Sequence, residues 1–236
     1  MKKNPFKRIL CIVIAAVMLC SVFASTAAAA TKCACGHSPV VMISGFGATI
    51  LSEKQEDGSL KRVFPPDTKE ILKLLGVNAP DLVTGIIELL AQKGTDGIEK
   101  PMREIITSIV EPLRMNDDGT SYYDIVPILS GAKNTSLEAF TKNGQLDLVP
   151  YTGSEFLDME VIGDEIGDDH VFNFLYDWRL SHADVAAQLH DYLAEVCALT
   201  GHDKVSVYSI SQGSLLLGTY MYEYPNDNYI DRAVFD

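Results

Sequence analysis

The chain has 236 residues, 47% of them apolar, with 19 basic against 32 acidic residues and a net charge of −13. That length suffices for one sizeable hydrophobic core. So acidic a balance excludes a surface built to hold nucleic acid or anionic headgroups by charge, and no internal repeat or low-complexity tract argues for further domains.

The N-terminus reads as a targeting segment. Lys2, Lys3, Lys7 and Arg8 form a basic region, residues 9–23 are almost unbroken apolar sequence, and 24–30 are small residues. Charged, apolar and small in that order is the layout of a cleavable secretory signal. The apolar run is short of the roughly 20 residues that span a bilayer. Residues 1–30 are therefore expected to be removed before Thr31, giving a secreted, extracellular or cell-surface protein with no transmembrane span. Leu19 before Cys20 and Lys32 before Cys33 are not the small residues a lipoprotein signal needs. The 19 basic residues less the four in the signal, against 32 acidic, leave a net charge of −17.

Three cysteines remain: Cys33, Cys35 and Cys197. An odd count gives no disulfide framework, and a bridge between Cys33 and Cys35, one residue apart, would be strained. A metal there would need more ligands than the nearby His37, so no metal and no cofactor are expected. Cys197 falls in a helical apolar pattern and is expected to be buried.

Along the chain, 40–43 is a short all-apolar run introduced by Pro39 and halted by Ser44-Gly45, as in a strand buried inside a parallel sheet. Comparable runs follow at 171–175, 205–208 and 230–235. Between the second and third, 183–199 places Val185, Leu189, Tyr192, Leu193 and Val196 on one helical face. Between the third and fourth, a helix over about 213–222 ends before Pro225. Strand, helix, strand, helix, strand at this spacing predicts crossover units and a parallel sheet. The stretch from about 52 to 169 interrupts the rhythm with three predicted helices. One starts from Asp67 as N-cap and ends at Gly76, and two begin with Pro80 and Pro101 in the first turn. Ile86, Ile87, Leu89 and Leu90 exceed one narrow stripe, so the insertion is read either as a cap over a site or as a subdomain with its own core.

The chemistry concentrates at Val205-Ser206-Val207-Tyr208-Ser209-Ile210-Ser211-Gln212-Gly213. A strand running into small-x-Ser-x-Gly and then a helix is a nucleophile elbow. Its tight turn strains the serine backbone and requires small residues two before and two after. Gly213 meets that need, and Ser209 stands where glycine is usual. The elbow presents Ser211 at the carboxyl end of the sheet, where open α/β sheets place their sites. Serine attack on a carbonyl needs backbone donors for the oxyanion. Gln212 N–H is one, and Phe46 N–H, in the glycine-containing loop Ser44-Gly45-Phe46-Gly47, is the other. No Gly-x-Gly-x-x-Gly and no lysine-serine pair follows, which excludes a nucleotide loop.

Pro39-Val40-Val41-Met42-Ile43-Ser44-Gly45-Phe46-Gly47 resembles the opening strand and oxyanion loop of the lecithin:cholesterol acyltransferase family, which includes phospholipase A relatives. Tyr176-Asp177-Trp178-Arg179-Leu180-Ser181 resembles that family's Tyr-Asp-Trp-Arg signature, and the spacing onward to the Ser211 elbow is similar. The resemblance covers about 39–48 and 169–236. It implies an α/β-hydrolase fold, a mostly parallel sheet with helices on both faces and a helical cap insertion over about 52–169. It also implies Ser211 as acyl acceptor, Phe46 and Gln212 as the oxyanion hole, and an ester lipid, met at a lipid surface, as substrate. Trp178, at the end of its strand, is read as lining the acyl pocket. Ser44, where the family often has proline, and Ser209 depart from the pattern. Trp178 with Asp177 and Arg179 beside it also reads simply as packing plus an ion pair.

A serine nucleophile requires a histidine base and a carboxylate, in this fold in the order Ser, Asp, His. All five histidines (His37, His170, His182, His190 and His202) precede Ser211. The triad's acid and base are therefore expected beyond Asp236, with 31–236 a hydrolase domain truncated after the strand that follows the nucleophile helix. Asp236 itself is the acid only in the variant where the acid follows this strand. His170 and His182 are read as surface residues. The expected function is a secreted serine lipid acyl hydrolase or O-acyltransferase. The alternative is a non-catalytic lipid- or partner-binding protein on a hydrolase scaffold. Acidic runs such as Asn116-Asp117-Asp118 lack the alternating spacing of a calcium loop and are read as solvated turns.

Overall fold

In a computed structural model, residues 33, 35–91, 94–149 and 155–236 are described; the expected signal at 1–30 lies outside them. In chain order the strands are β1 (Val40–Ile43), β2 (Leu51–Lys54), β3 (Leu60–Phe64), β4 (Ile125–Pro127), β5 (Val171–Phe174), β6 (Val205–Ser209) and β7 (Ile230–Phe235). The α-helices are α1 (Thr68–Leu90), α2 (Asp96–Val110), α3 (Leu137–Lys142), α4 (Glu155–Ile166), α5 (His182–Thr200) and α6 (Gln212–Glu223).

The four apolar runs pair in parallel in the order β5-β1-β6-β7, so the chain is an α/β protein built on a parallel sheet. Val40 sits between Val171 and Ser206, and Ile43 between Phe174 and Ser209. Side chains alternate across a strand, and the core divides accordingly. Val41, Ile43, Phe172 and Phe174 pack with Val185, Leu189 and Leu193 of α5 and with Leu216, Leu217 and Tyr220 of α6. Met42, Val171 and Leu175 pack on the other face with Leu137 and Phe140 of α3 and Met159 of α4. All five apolar residues expected on one face of α5 are buried. Each such side chain contributes roughly 1.5–3 kcal/mol over leaving it exposed. Ser181 caps α5, its hydroxyl accepting from the Ala183 amide.

The insertion differs from a purely helical reading. It opens with an antiparallel sheet in the order β3-β2-β4, which alternation over strands of three to five residues is too brief to announce. Its last part, α3 and α4, is core of the main sheet, so a cap can comprise only the middle. There, Asp67 caps α1 as expected, accepting from Lys69 N. The helix does not end at Gly76 but runs through Pro80 to Leu90, and α2 likewise holds Pro101 inside it. The ring of a helical proline crowds the carbonyl four residues earlier. Here those residues are Gly76 and Gly97, and glycine is the residue whose backbone adjusts at the least steric cost. The two helices meet at glycines: a Cβ on Gly85 would lie 2.4 Å from the Gly97 carbonyl carbon. Among the described residues of α1 only Asn78 and Gly85 are buried, so this hairpin has little core of its own. No helix among the described residues is long and apolar enough to cross a membrane.

Candidate active site

The turn from β6 into α6 sets the geometry. Ser211 has φ 53° and ψ −118°, and among the described residues it is the single non-glycine with positive φ. An L-residue adopts that conformation at a cost of about 1–3 kcal/mol, only where its surroundings impose it. The surroundings are visible. Ile210 N donates to Ile43 O at 3.0 Å, Ser211 N to Asp236 O at 2.8 Å, and Gly213 N to Ile210 O at 2.8 Å. A Cβ on Gly213 would lie 2.3 Å from Ile43 O, so α6 can start this close to β1 only with glycine there. Ser209, two before Ser211, is fully buried. Its hydroxyl donates to Val234 O at 2.9 Å and lies 3.1 Å from Ser214 Oγ. A serine therefore replaces the usual glycine by bonding to β7 instead of vacating space.

Ser211 is exposed, and no described residue hydrogen-bonds its hydroxyl. Beside it runs the loop after β1, where a Cβ on Gly45 would come within 3.1 Å of Ser211 Cβ and 3.6 Å of its Oγ. The amides of Phe46 and Gln212 donate to no backbone oxygen in the described turns and loops, whereas those of Ile210, Ser211, Gly213 and Ser214 all do. One of these two amides follows Ser211 directly, and the other follows Gly45, whose Cβ position lies 3.6 Å from Ser211 Oγ.

The Tyr176–Arg179 segment after β5 holds this arrangement in place. Tyr176 donates its hydroxyl to Ser44 O at 2.9 Å, and Trp178 Nε1 donates to Thr49 O at 3.3 Å. Gln212 Nε2 donates to Trp178 O at 2.9 Å, which orients the residue carrying one uncommitted amide. The Asp177–Arg179 pair is buried and bidentate, with Nε–Oδ1 2.9 Å and Nη2–Oδ2 2.6 Å, and Arg179 Nη2 also reaches Ser121 Oγ at 2.9 Å. The reading of packing plus an ion pair is met here. Trp178 is only 6% exposed, its ring covered by Phe46 at 4.4 Å and Phe64 at 5.0 Å between centroids, while Phe46 is 66% exposed. Any surface these aromatics offer is Phe46 and Phe64, with Trp178 behind them. Beside the loop lies a cleft of about 330 Å³ lined by Gly47, Ala48, Ile50, Phe64 and Pro65 with the charged Arg62 and Asp147.

Ser211, Gln212, Phe46 and Trp178 therefore converge at the carboxyl ends of three adjacent strands, β6, β1 and β5. Phe64 is the residue sequence reasoning missed. It comes from an antiparallel strand of the insertion, and nothing in its local pattern marks it. The histidines with recorded partners face elsewhere. His190 Nδ1 lies 2.6 Å from Asp227 Oδ2, and His170 and His202 meet the two cysteines. His170 had been expected as a surface residue, but its side chain is 13% exposed. No family model matches the chain, and no curated protein matches it.

Proposed function

We propose that this protein is a serine acyl hydrolase or O-acyltransferase of the α/β-hydrolase fold, acting on ester lipids. The observation that carries the reading is the backbone of Ser211, strained at the strand-to-helix turn and exposed at the carboxyl end of a parallel sheet. A binding protein on the same scaffold would gain nothing from that strain. An attacking hydroxyl needs it, because the turn lifts Oγ clear of the sheet while keeping Gln212 N–H beside it.

In this mechanism Ser211 Oγ attacks the ester carbonyl as a base removes its proton. The amides of Phe46 and Gln212 donate to the oxyanion that develops, a contribution realised in the transition state. The alkoxide or lysolipid leaves with a proton from the same base, and water or an alcohol then releases the acyl group. No described histidine hydrogen-bonds Ser211, so the base is none of the histidines as the described residues place them. The cleft at Gly47, Phe64 and Pro65, within reach of the oxyanion loop, suits an acyl chain. The exposed apolar residues of α1, Leu72, Val77, Ile87 and Leu90 among them, support a substrate met at a lipid surface. Secretion, from the basic-apolar-small layout of 1–30, belongs to the same reading.

A fluorophosphonate probe applied to the protein as its gene encodes it tests this reading. Labelling at Ser211, lost in Ser211→Ala, is the expected result. Labelling at another residue, or none in a folded and complete protein, would overturn it in favour of the binding scaffold.

A further inference from the structure

We propose that Cys33, Cys35, His170 and His202 form a four-ligand zinc site that clamps the amino ends of three neighbouring strands. Their ligand atoms all lie within 4.8 Å of one another. Cys35 Sγ is 3.3 Å from His202 Nε2 and 3.5 Å from His170 Nε2, and Cys33 Sγ is 3.9 Å from His170 Nε2. Ligands held tetrahedrally at roughly 2.0–2.3 Å from zinc stand about 3.3–3.8 Å apart, so the three sulfur–nitrogen separations already approximate the edges of such a site. The two sulfurs, 2.7 Å apart, would spread by about 1 Å on coordination. As they stand they are farther apart than the roughly 2.05 Å of a disulfide.

The second atoms of both imidazoles strengthen the assignment. His170 Nδ1 lies 2.8 Å from Asp169 Oδ1, and His202 Nδ1 lies 3.1 Å from Thr200 O. Each ring thus donates Nδ1–H to an oxygen and turns an Nε2 lone pair toward the sulfurs. Metal-bound histidines are held in this way, and the outer oxygen fixes tautomer and orientation. Two thiolates with two neutral imidazoles select zinc over hard cations. Two thiol protons leave on binding, and the site is then neutral.

The location assigns its role. His170 immediately precedes β5, His202 immediately follows the end of α5 at Gly201 and leads into β6, and the cysteines lead into β1. Cys33 N donates to Gly201 O at 3.2 Å, bringing the leading segment onto this turn. Strands β5, β1 and β6 are neighbours in the sheet, so one ion joins all three. Ser211 is at their opposite ends, a strand length of four to five residues away. With four protein ligands and no open position the site is structural, and it stands independently of the Ser211 reading. Sequence reasoning considered only His37 as a further ligand. The folded chain brings residues 135 and 167 positions from Cys35 instead.

The test is metal titration of the reduced full chain, with zinc or cobalt(II) alone as the probe. One equivalent should bind, cobalt should give a thiolate-to-metal charge-transfer band with tetrahedral visible bands, and zinc should raise the melting temperature. Asp169→Asn should weaken zinc affinity by about 10–100-fold, and His37→Ala should leave it unchanged. Cys35→Ser should weaken the cobalt charge-transfer band, and loss of both cysteines should abolish it. His202→Cys should keep the metal with a stronger band, which guards against reading a misfolded variant as a lost ligand. Absence of the charge-transfer band in wild-type protein shown folded by circular dichroism overturns the proposal. So does a band that survives loss of both cysteines. Cysteines blocked to alkylation until reduced, with no metal bound after reduction, would make the pair a disulfide and equally overturn it.

Discussion

A Cβ placed on Gly213 would meet the carbonyl oxygen of Ile43 at 2.3 Å. Backbone lies on the far side of that contact, so no rotamer change relieves it. Gly213→Ala must push α6 away from β1, at a cost typical of overpacking, about 1–3 kcal/mol. The same shift moves Ser211 and Gln212 together, and misplacing a catalytic group by about 1 Å can cost on the order of 10²-fold in rate. Thermal melts and probe-labelling rates of the variant should both fall. Retained labelling at full rate would mean that the turn is less rigid than its contacts imply.

The oxyanion reading separates backbone from side chain at one position. Phe46→Leu keeps the amide and should leave much of kcat intact. Phe46→Pro removes the N–H, and losing one such donor costs about 10²–10³-fold, provided circular dichroism shows the fold retained. Ser211→Ala should abolish acyl transfer. Without a histidine base, serine attack loses a contribution that can reach about a millionfold in kcat. Residues 31–236 alone should therefore hydrolyse no short-chain ester, and esterase activity that disappears with Ser211→Ala in that chain would place the base among the residues described.

The parallel sheet and the Ser211 turn were legible because their signals are local. Val40–Ile43 and Val205–Ser209 are apolar runs bounded by small residues, and α5 carries its face at helical spacing. What was illegible depends on distant partners. Phe64 gains its place from pairing of β3 with β2. Pro80 sits inside a helix, with glycine four residues earlier where its ring crowds the chain, although proline by itself reads as a helix start. His170 reads as a surface residue, and His202 carries no local signal, until β5 and β6 bracket β1 and bring their preceding turns to Cys33 and Cys35.

The ion pair of Asp177 and Arg179 is 4–5% exposed on both sides and reaches Ser121 in the insertion. Removing one partner strands a buried charge, for which about 3–5 kcal/mol is typical. Asp177→Asn or Arg179→Met should each lower stability in denaturant titrations by that order. The double substitution should be less damaging than the two singles combined. Additive losses would show that the charges do not depend on one another.

Cys197 offers a pH test. Burial, and secondarily the charge of Asp203, push its thiol up to about 11 from an ordinary 9.0. A raised thiol pKa means that the folded state favours the neutral form. Its contribution is fully present below about pH 9 and is lost as pH rises through about 11, because the unfolded chain ionises first. Stability of wild type relative to Cys197→Val should therefore decline over that interval, and the folded thiol should resist alkylation at neutral pH. A difference between the two proteins that stays constant from pH 8 to 11 would refute this account.

On the proposed reading, the α1–α2 hairpin bears on substrate access. Val77 is 74% exposed and Leu90 78%, with Leu72, Ile87 and Ile106 also open to solvent. The helices approach through glycines at 85 and 97 instead of through these side chains, so the apolar surface is not consumed in holding the hairpin together. Such a surface fits contact with lipid. Replacing Leu72, Val77, Ile87 and Leu90 by serine should reduce acyl release from neutral phospholipid vesicles. Turnover of a soluble short-chain ester should stay the same, because Ser211 and its two amides are untouched. The net charge of −13 adds a direction: anionic vesicles should be poorer substrates than neutral ones, and the difference should shrink as salt screens the repulsion. Equal losses on both substrates in the serine variant would show that the hairpin supports the fold and not the lipid contact. Unchanged activity on vesicles would remove it from the reaction altogether.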